Sequence, residues 1–292
     1  MICRSLTKNG WIRWDAAVAV GLPMLALAAT LRIWGEIVSI AWRDPRQNHI
    51  FLVPLATAWL VWVRRERFLQ CRRRGTLIGP VMVALGWAAI QFGPAWQIEA
   101  ARHLGALLIV CGCVLAVMGT DVLVRFLPAF LVLLLIVPVP GVLRQIADPP
   151  LQRLTTAATV WMFEGFGVAV EQAGNVLHFH HANVHLDGSG SAMKMVFGLG
   201  LVAYVFAFGT PLRGYVRLII LVVSPILAVA ANVLRMVPAV WLYGHGPRAV
   251  ADAFYVVSGW MMLVLAFALL LGIIRLLKWA MIPVTNYRLA YD

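Results

Sequence analysis

The succession of long apolar runs constrains this chain more than any motif in it. They lie at 16–36, 50–63, 77–93, 103–119, 122–138, 192–209, 216–243 and 254–277. A helix of about twenty apolar residues crosses the ~30 Å hydrocarbon core of a bilayer, and shorter runs are tolerated by thinning or snorkelling. The chain is 62% hydrophobic and only 12% charged, against roughly 25% charged residues in soluble domains. That is more apolar surface than a water-soluble core of this size can hide, so lipid must solvate it. In lipid, only a helix or a closed barrel satisfies its own backbone. The expected fold is therefore an all-α integral membrane protein with about eight transmembrane helices and membrane lipid as its first partner. Run 16–36 resembles the apolar core of a signal peptide, but so many spans follow that it reads as an uncleaved first helix. No internal repeat or linker divides the chain, and 1–292 reads as a single transmembrane domain.

The basic residues set the orientation. Arg64, Arg65, Arg67, Arg72, Arg73 and Arg74 follow the second run with one acid, Glu66, and cytoplasmic loops collect Arg and Lys. Alternation then places the N-terminus (Arg4, Lys8, Arg13) in the cytoplasm, with the loop of Arg213 and Arg217 and the tail of Arg275, Lys278 and Arg288. Both termini are expected to be cytoplasmic. The same distribution accounts for the net charge of +12 as a topology signal and argues against a nucleic-acid partner. Cys3, Cys71, Cys111 and Cys113 match no metal spacing, and no cofactor is implied.

This topology puts a long segment, 139–191, on the outer side between the fifth and sixth spans. It opens with the prolines of Val137–Gly141. An amphipathic stretch follows at 142–170, with Arg144, Arg153 and Glu164 among apolar residues, suited to an interfacial or re-entrant position. The sequence GNVLHFHHANVHLDGSG then reads as a short extracytoplasmic β-hairpin with its turn near Ala182-Asn183.

Polar residues with chemical potential collect at the outer ends of the last three spans. Ser189 and Ser191 flank Gly190 at a glycine-rich helix entry, with Lys194 one turn on. Such an entry exposes N–H groups suited to an oxyanion, and a serine near a desolvated lysine can serve as a nucleophile. A flexible turn capping the sixth span explains the same residues. Asn232 and Arg235 share a face inside the seventh span, and an intramembrane arginine normally faces protein or a wet cavity. His245 stands in the outer loop, where a histidine can act as a base or have no role. Tyr255 and Ser258 open the last span. His178, His180 and His185 of the hairpin are weak metal candidates, without the His-Glu-x-x-His pattern of a zinc protease.

In order and spacing these segments resemble the exosortase/archaeosortase family of membrane cysteine transpeptidases. Those proteins have about eight spans and are thought to cleave C-terminal sorting tails (a short motif, a transmembrane helix and a basic cluster) from exported proteins. The resemblance rests on Asn48-His49 through Pro54, Pro138-Val-Pro140, Pro150-Leu-Gln152, Gly174-Asn175, Ala231-Asn232 through Arg235, and Ser258-Gly259-Trp260. It implies an extracytoplasmic site in the cytoplasmic (inner) membrane, Arg235 as the family's arginine, and exported membrane-anchored proteins as partners. The departures are as informative. The family's nucleophilic cysteine position falls at Gly190, and its histidine position at Tyr255.

Three readings follow. The chain is an exosortase-like peptidase or transpeptidase with Ser189 or Ser191 as nucleophile, His245, Tyr255 or Lys194 as base, and Arg235 stabilising the oxyanion. Alternatively, it is an inactive member that binds tails through Lys194, Asn232, Arg235 and Ser258 as part of an export or surface-assembly system. In the third reading the histidine-rich hairpin serves a metal-dependent membrane enzyme.

Overall fold

The computed structural model describes residues 13–71, 76–93, 99–168, 170–173, 176–179, 182–185 and 192–279. It divides into two compact units, Met1–Pro140 and Gly141–Asp292.

The first unit contains α1 (Arg13–Ala29), α2 (Leu31–Arg43), a 3-10 segment (Pro45–Leu52) and α3 (Val53–Val63). A second 3-10 segment (Arg65–Gln70), α4 (Ile78–Phe92), α5 (Glu99–Met118), α6 (Thr120–Arg125), α7 (Leu127–Leu133) and a last 3-10 turn (Leu134–Ile136) follow. Three expected spans are interrupted. Run 16–36 is not one straight helix, because the chain bends by 69° between α1 and α2. At the break the buried Thr30 hydroxyl donates to the Ala26 carbonyl at 2.7 Å and accepts from Trp34 Nε1 at 2.9 Å. The hydroxyl shares the Ala26 carbonyl with the Thr30 N–H, which bonds it at 3.1 Å, a back-bonding pattern that bends helices.

Run 50–63 is helical only from Val53, for 11 residues. Asp44 caps the preceding 3-10 segment by accepting from the Arg46 N–H at 3.0 Å, with Pro45 as its first residue. Burial in that segment pushes His49 below the ordinary histidine range, against the opposing effect of backbone hydrogen bonds at Arg46 and Leu135. Run 122–138 is split into α6, α7 and the 3-10 turn. Pro128, in the first turn of α7, lacks an N–H and crowds the carbonyl four residues earlier.

Helices α4 and α5 pair through glycines that repeat every seventh residue, Gly79 and Gly86 on one, Gly105 and Gly112 on the other. A seven-residue repeat holds them on one helix face. A Cβ on Gly86 would stand 2.6 Å from the Gly105 carbonyl oxygen, and one on Gly105 would stand 2.5 Å from that of Gly86. The two backbones therefore touch, as small residues allow between membrane helices.

The second unit holds α8 (Gly141–Gly165), β1 (Glu171–Ala173), β2 (Val176–Phe179), β3 (Ala182–His185), α9 (Ala192–Gly209), α10 (Gly214–His245) and α11 (Arg248–Trp279). The amphipathic stretch expected at 142–170 is helical to Gly165. It is stopped by Gly167 at φ 72°, a left-handed conformation that glycine adopts without strain. The Val168 N–H bonds the Phe163 carbonyl and the Gly167 N–H the Glu164 carbonyl, at 3.0 and 2.9 Å. That is a Schellman stop, completed by packing of Val168 with Phe163. On the buried face of α8, Thr155, Thr156 and Thr159 donate to carbonyls four residues back. With their hydroxyls satisfied inside the helix, this face packs on α10.

The strands form an antiparallel sheet in the order β1-β2-β3. Phe179 pairs with Ala182, so Ala182 and Asn183, expected to form the turn, are strand residues. The register follows from Leu177 and Phe179, alternate residues that are both buried; a one-residue slip would carry them to the opposite face. His178 lies opposite Glu171 and Asn183, and His185 opposite Val176.

This is a multi-pass integral membrane protein. Among the described residues, α5 and α10 are long and apolar enough to cross a bilayer, and counting each bent helix pair as one span makes four. Several shorter apolar helices accompany them.

The glycine contact predicts that Gly86→Leu or Gly105→Leu destabilises the protein by about 2–3 kcal/mol, as overpacking does. Gly35→Ala, whose added Cβ meets nothing within 4 Å, should leave stability close to wild type. Thermal unfolding in detergent is the measurement.

Candidate functional site

Apart from Val233, which is buried beside them, the buried residues of α10 follow a helical stripe: Val216, Ile220, Ser224, Ala228, Ala231, Asn232, Arg235, Met236, Ala239 and Val240. This is one stripe of an α-helix, and Asn232 and Arg235 lie within it. The side chains around them form layers. On the N-terminal side, Ala228 and Ala231 pack with Met195 and Leu199 of α9 and Ala266 of α11. On the C-terminal side, Met236 and Val240 pack with Phe163, Leu177 and Phe179, and Tyr255 joins this cluster. The polar layer is therefore enclosed between apolar ones.

Arg235 is 3% exposed, and its guanidinium carbon stands 4.9 Å from the centre of the Tyr255 ring. An arginine over an aromatic face gains roughly 0.5–2 kcal/mol, more as water is excluded. Ser258, one turn after Tyr255 on α11, is buried, and its hydroxyl donates to the Tyr255 carbonyl at 3.2 Å. That donor is used within the helix, leaving Ser258 only as an acceptor for other groups. Lys194, partly buried in the first turn of α9, interacts electrostatically with Arg235. Asn232 is 1% exposed, and no donor among the described residues reaches its Oδ1.

His245 belongs elsewhere. It is the last residue of α10 rather than part of a loop, because the helix persists through Gly244 and stops only at the extended Gly246. Ten residues separate it from Arg235, roughly 15 Å of helix rise. Its ring stacks on Trp241 at 4.2 Å and lies 5.3 Å from that of Phe179. Its Nδ1 is 3.3 Å from the Trp241 carbonyl. Phe179 is also 5.6 Å from Phe163 and 6.0 Å from Trp241. A Cβ on Gly244 would fall 2.2 Å from the Phe179 ring, so Phe179 seats itself in the space that the missing side chain leaves. His245 thus serves an aromatic anchor that holds β2 against the ends of α8 and α10.

Arg235, Tyr255, Ser258, Lys194 and Asn232 accordingly fall in one region, and His245 in another. Ser189, Gly190, Ser191 and His180 lie outside the described residues. Among the described residues, no group of three or more His, Cys, Asp or Glu is placed to hold a metal.

A family model described as transmembrane exosortase (Exosortase_EpsH) matches residues 41–272. The chain belongs to the transmembrane exosortase family. No curated protein and no solved structure matches it. The matched range contains every candidate residue named above. Within this exosortase-family chain, Arg235 occupies the position that the resemblance assigned to the family's arginine. The aromatic group that meets it is the phenol of Tyr255, where the resemblance expects an imidazole.

Sequence reading missed three features: the unused acceptor of Asn232, the aromatic anchor, and a hydrogen bond of 2.6 Å from the Tyr243 hydroxyl to Asp252 Oδ1 that ties the ends of α10 and α11. Only the last had a visible signal, a tyrosine and an aspartate on either side of a short Gly-His-Gly-Pro break.

Because Tyr255 hydrogen-bonds Arg235 as well as offering it the ring, Tyr255→Phe should cost about 1–2 kcal/mol while keeping the ring contact. Tyr255→Ala should cost about 2–4 kcal/mol through the lost ring and the cavity it leaves. Thermal unfolding of the purified variants checks both.

Proposed function

We propose that this exosortase-family protein recognises the C-terminal sorting tails of exported proteins at the outer face of the cytoplasmic membrane. In this reading the chain crosses the membrane about eight times with both termini in the cytoplasm. The observation that carries the proposal is Arg235, buried in the packing stripe of α10 against Tyr255. An arginine's planar donor fork suits a carboxylate or carbonyl, and burying one is too costly to keep without a structural or binding return.

Two contacts fit the alternation of spans. In the first unit Glu36 pairs with Arg102 and lies 3.7 Å from His103, and all three fall at span ends that the topology puts outside. Arg64 donates to the Arg125 carbonyl at 3.4 Å, and both fall at ends put inside.

Recognition without thiol chemistry is the version the residues favour. The unit 141–292 contains no cysteine, and Tyr255 at the histidine position supplies no imidazole to activate a nucleophile. The electrostatic coupling of Lys194 to Arg235 favours one second reading. In it, a hydroxyl of Ser189 or Ser191 attacks the scissile carbonyl and gives its proton to neutral Lys194. The lysine passes the proton to the departing amine of the tail, and water then hydrolyses the ester.

The test is co-expression with an epitope-tagged tail substrate from the same genome. Arg235→Ala should reduce the co-purified tail at least tenfold, and replacing all four cysteines by Ala or Ser should change nothing. Tail retention unaffected by Arg235→Ala would overturn the proposal. Ser189→Ala, Ser191→Ala and their double variant separate the versions: unchanged retention and no processed product fit recognition alone, whereas processing lost in the double variant establishes the serine enzyme.

A further inference from the structure

Asn232 carries a hydrogen-bond acceptor that the resting fold leaves unused. Its side chain is 1% exposed, and no donor among the described residues reaches Oδ1. A buried acceptor without a donor is unfavourable, and it is more so among membrane helices where water does not replace the partner. The immediate neighbours in the α10 stripe are Ala228, Ala231, Met236 and Ala239, so an apolar side chain at 232 would continue the stripe without an orphaned group. Buried polar atoms left unsatisfied in a native fold call for a functional explanation.

The placement of Asn232 narrows that explanation. It stands three residues before Arg235, on the same helix face. Arg235 offers donors only, and Oδ1 is an acceptor. A fully ionised carboxylate or phosphate makes use of the arginine but offers no donor to Oδ1. A polypeptide main chain uses both, because it presents carbonyl acceptors and N–H donors at regular intervals.

We infer that Asn232 Oδ1 accepts a main-chain N–H of the bound tail while Arg235 donates to a neighbouring carbonyl, so that this pair reads an extended peptide backbone. The inference rests on the tail recognition proposed above and names the group that is read. Oδ1 is covered in the unliganded fold, so the tail reaches it as the packing around α10 opens. Asn232 is a binding residue in this scheme, and sequence preference comes from elsewhere in the site.

The experiment uses the purified full chain in lipid nanodiscs. The ligand is a synthetic peptide with the sequence of one tail-bearing exported protein encoded in the same genome. Each N–H of its polar motif is replaced in turn by an ester oxygen, which deletes one donor and keeps the chain length. One such ester should weaken binding to the wild-type protein about fivefold to twentyfold, the effect of one buried hydrogen bond. The same ester should have no effect on binding to Asn232→Leu, because the partner is already absent. Asn232→Leu should also unfold at a higher temperature than wild type without peptide, since it removes an orphaned acceptor; a residue with a merely structural hydrogen bond would move the other way. If leucine overpacks the stripe, Asn232→Ala carries the same ester comparison. Ester effects of equal size in wild type and in the Asn232 variants would overturn the inference and leave tail recognition standing. Failure of the unmodified peptide to bind wild type would overturn both.

Discussion

The face of α10 on which Asn232 and Arg235 lie must pack against apolar neighbours and still hold a guanidinium. Small side chains make this possible. Ala228, Ala231 and Ala266 bring α10 close to its neighbours, and close approach is what holds membrane helices together when lipid is as apolar as the side chains. Tyr255 gives the charge of Arg235 an aromatic face and a hydrogen-bonding hydroxyl inside this packing. The apolar cluster of Phe179 and Met236, which Tyr255 joins, encloses the layer on its C-terminal side, which keeps water away and strengthens every electrostatic interaction within it. A helix stripe, a cation over a ring and a docked strand thus depend on one another.

The anchoring of the sheet follows from the same requirement. A three-stranded sheet of three- and four-residue strands is marginal on its own, and it gains its place through side chains buried on one face. Phe179 is the central one: its ring meets Phe163, Trp241 and His245 and occupies the space above Gly244. His245, expected in a loop, is the last residue of α10 and takes part in that packing. The strands are attached by their apolar residues Leu177 and Phe179.

Legibility in the sequence followed the range of the forces involved. Membrane character was visible because it depends on composition summed over many residues, and the enclosure of Arg235 by protein because a charge in a long apolar run is costly wherever the run lies. The breaks at Thr30 and Phe126 were not visible. Each depends on one local event, a threonine hydroxyl entering the helix ladder or a proline removing a donor, within runs whose hydropathy does not change. The heptad glycines of α4 and α5 were visible in principle, since Gly79, Gly86, Gly105 and Gly112 stand at intervals of seven. They went unread because a hydropathy pattern records how apolar a face is and not how closely it lets another backbone approach. The unused acceptor of Asn232 was beyond sequence reasoning altogether, because an absent partner shows only when the neighbours are in place.

The family's plan and this chain's residues diverge in a way that separates binding from bond cleavage. A thiolate activated by an imidazole is one way to make and break an acyl bond, whereas an arginine's donor fork suits the carbonyl or carboxylate on which that chemistry acts. In the reading proposed above, Gly190 and Tyr255 stand where the resemblance puts the nucleophile and its activator, while Arg235 lies in the buried stripe of α10. Tyrosine is not an arbitrary substitute at that position. Its ring supplies a negative face to the guanidinium, as the protonated imidazole of a thiolate–imidazolium pair would not. A tyrosine at 255 therefore holds the guanidinium of Arg235 in a way that suits the peptide capture proposed above.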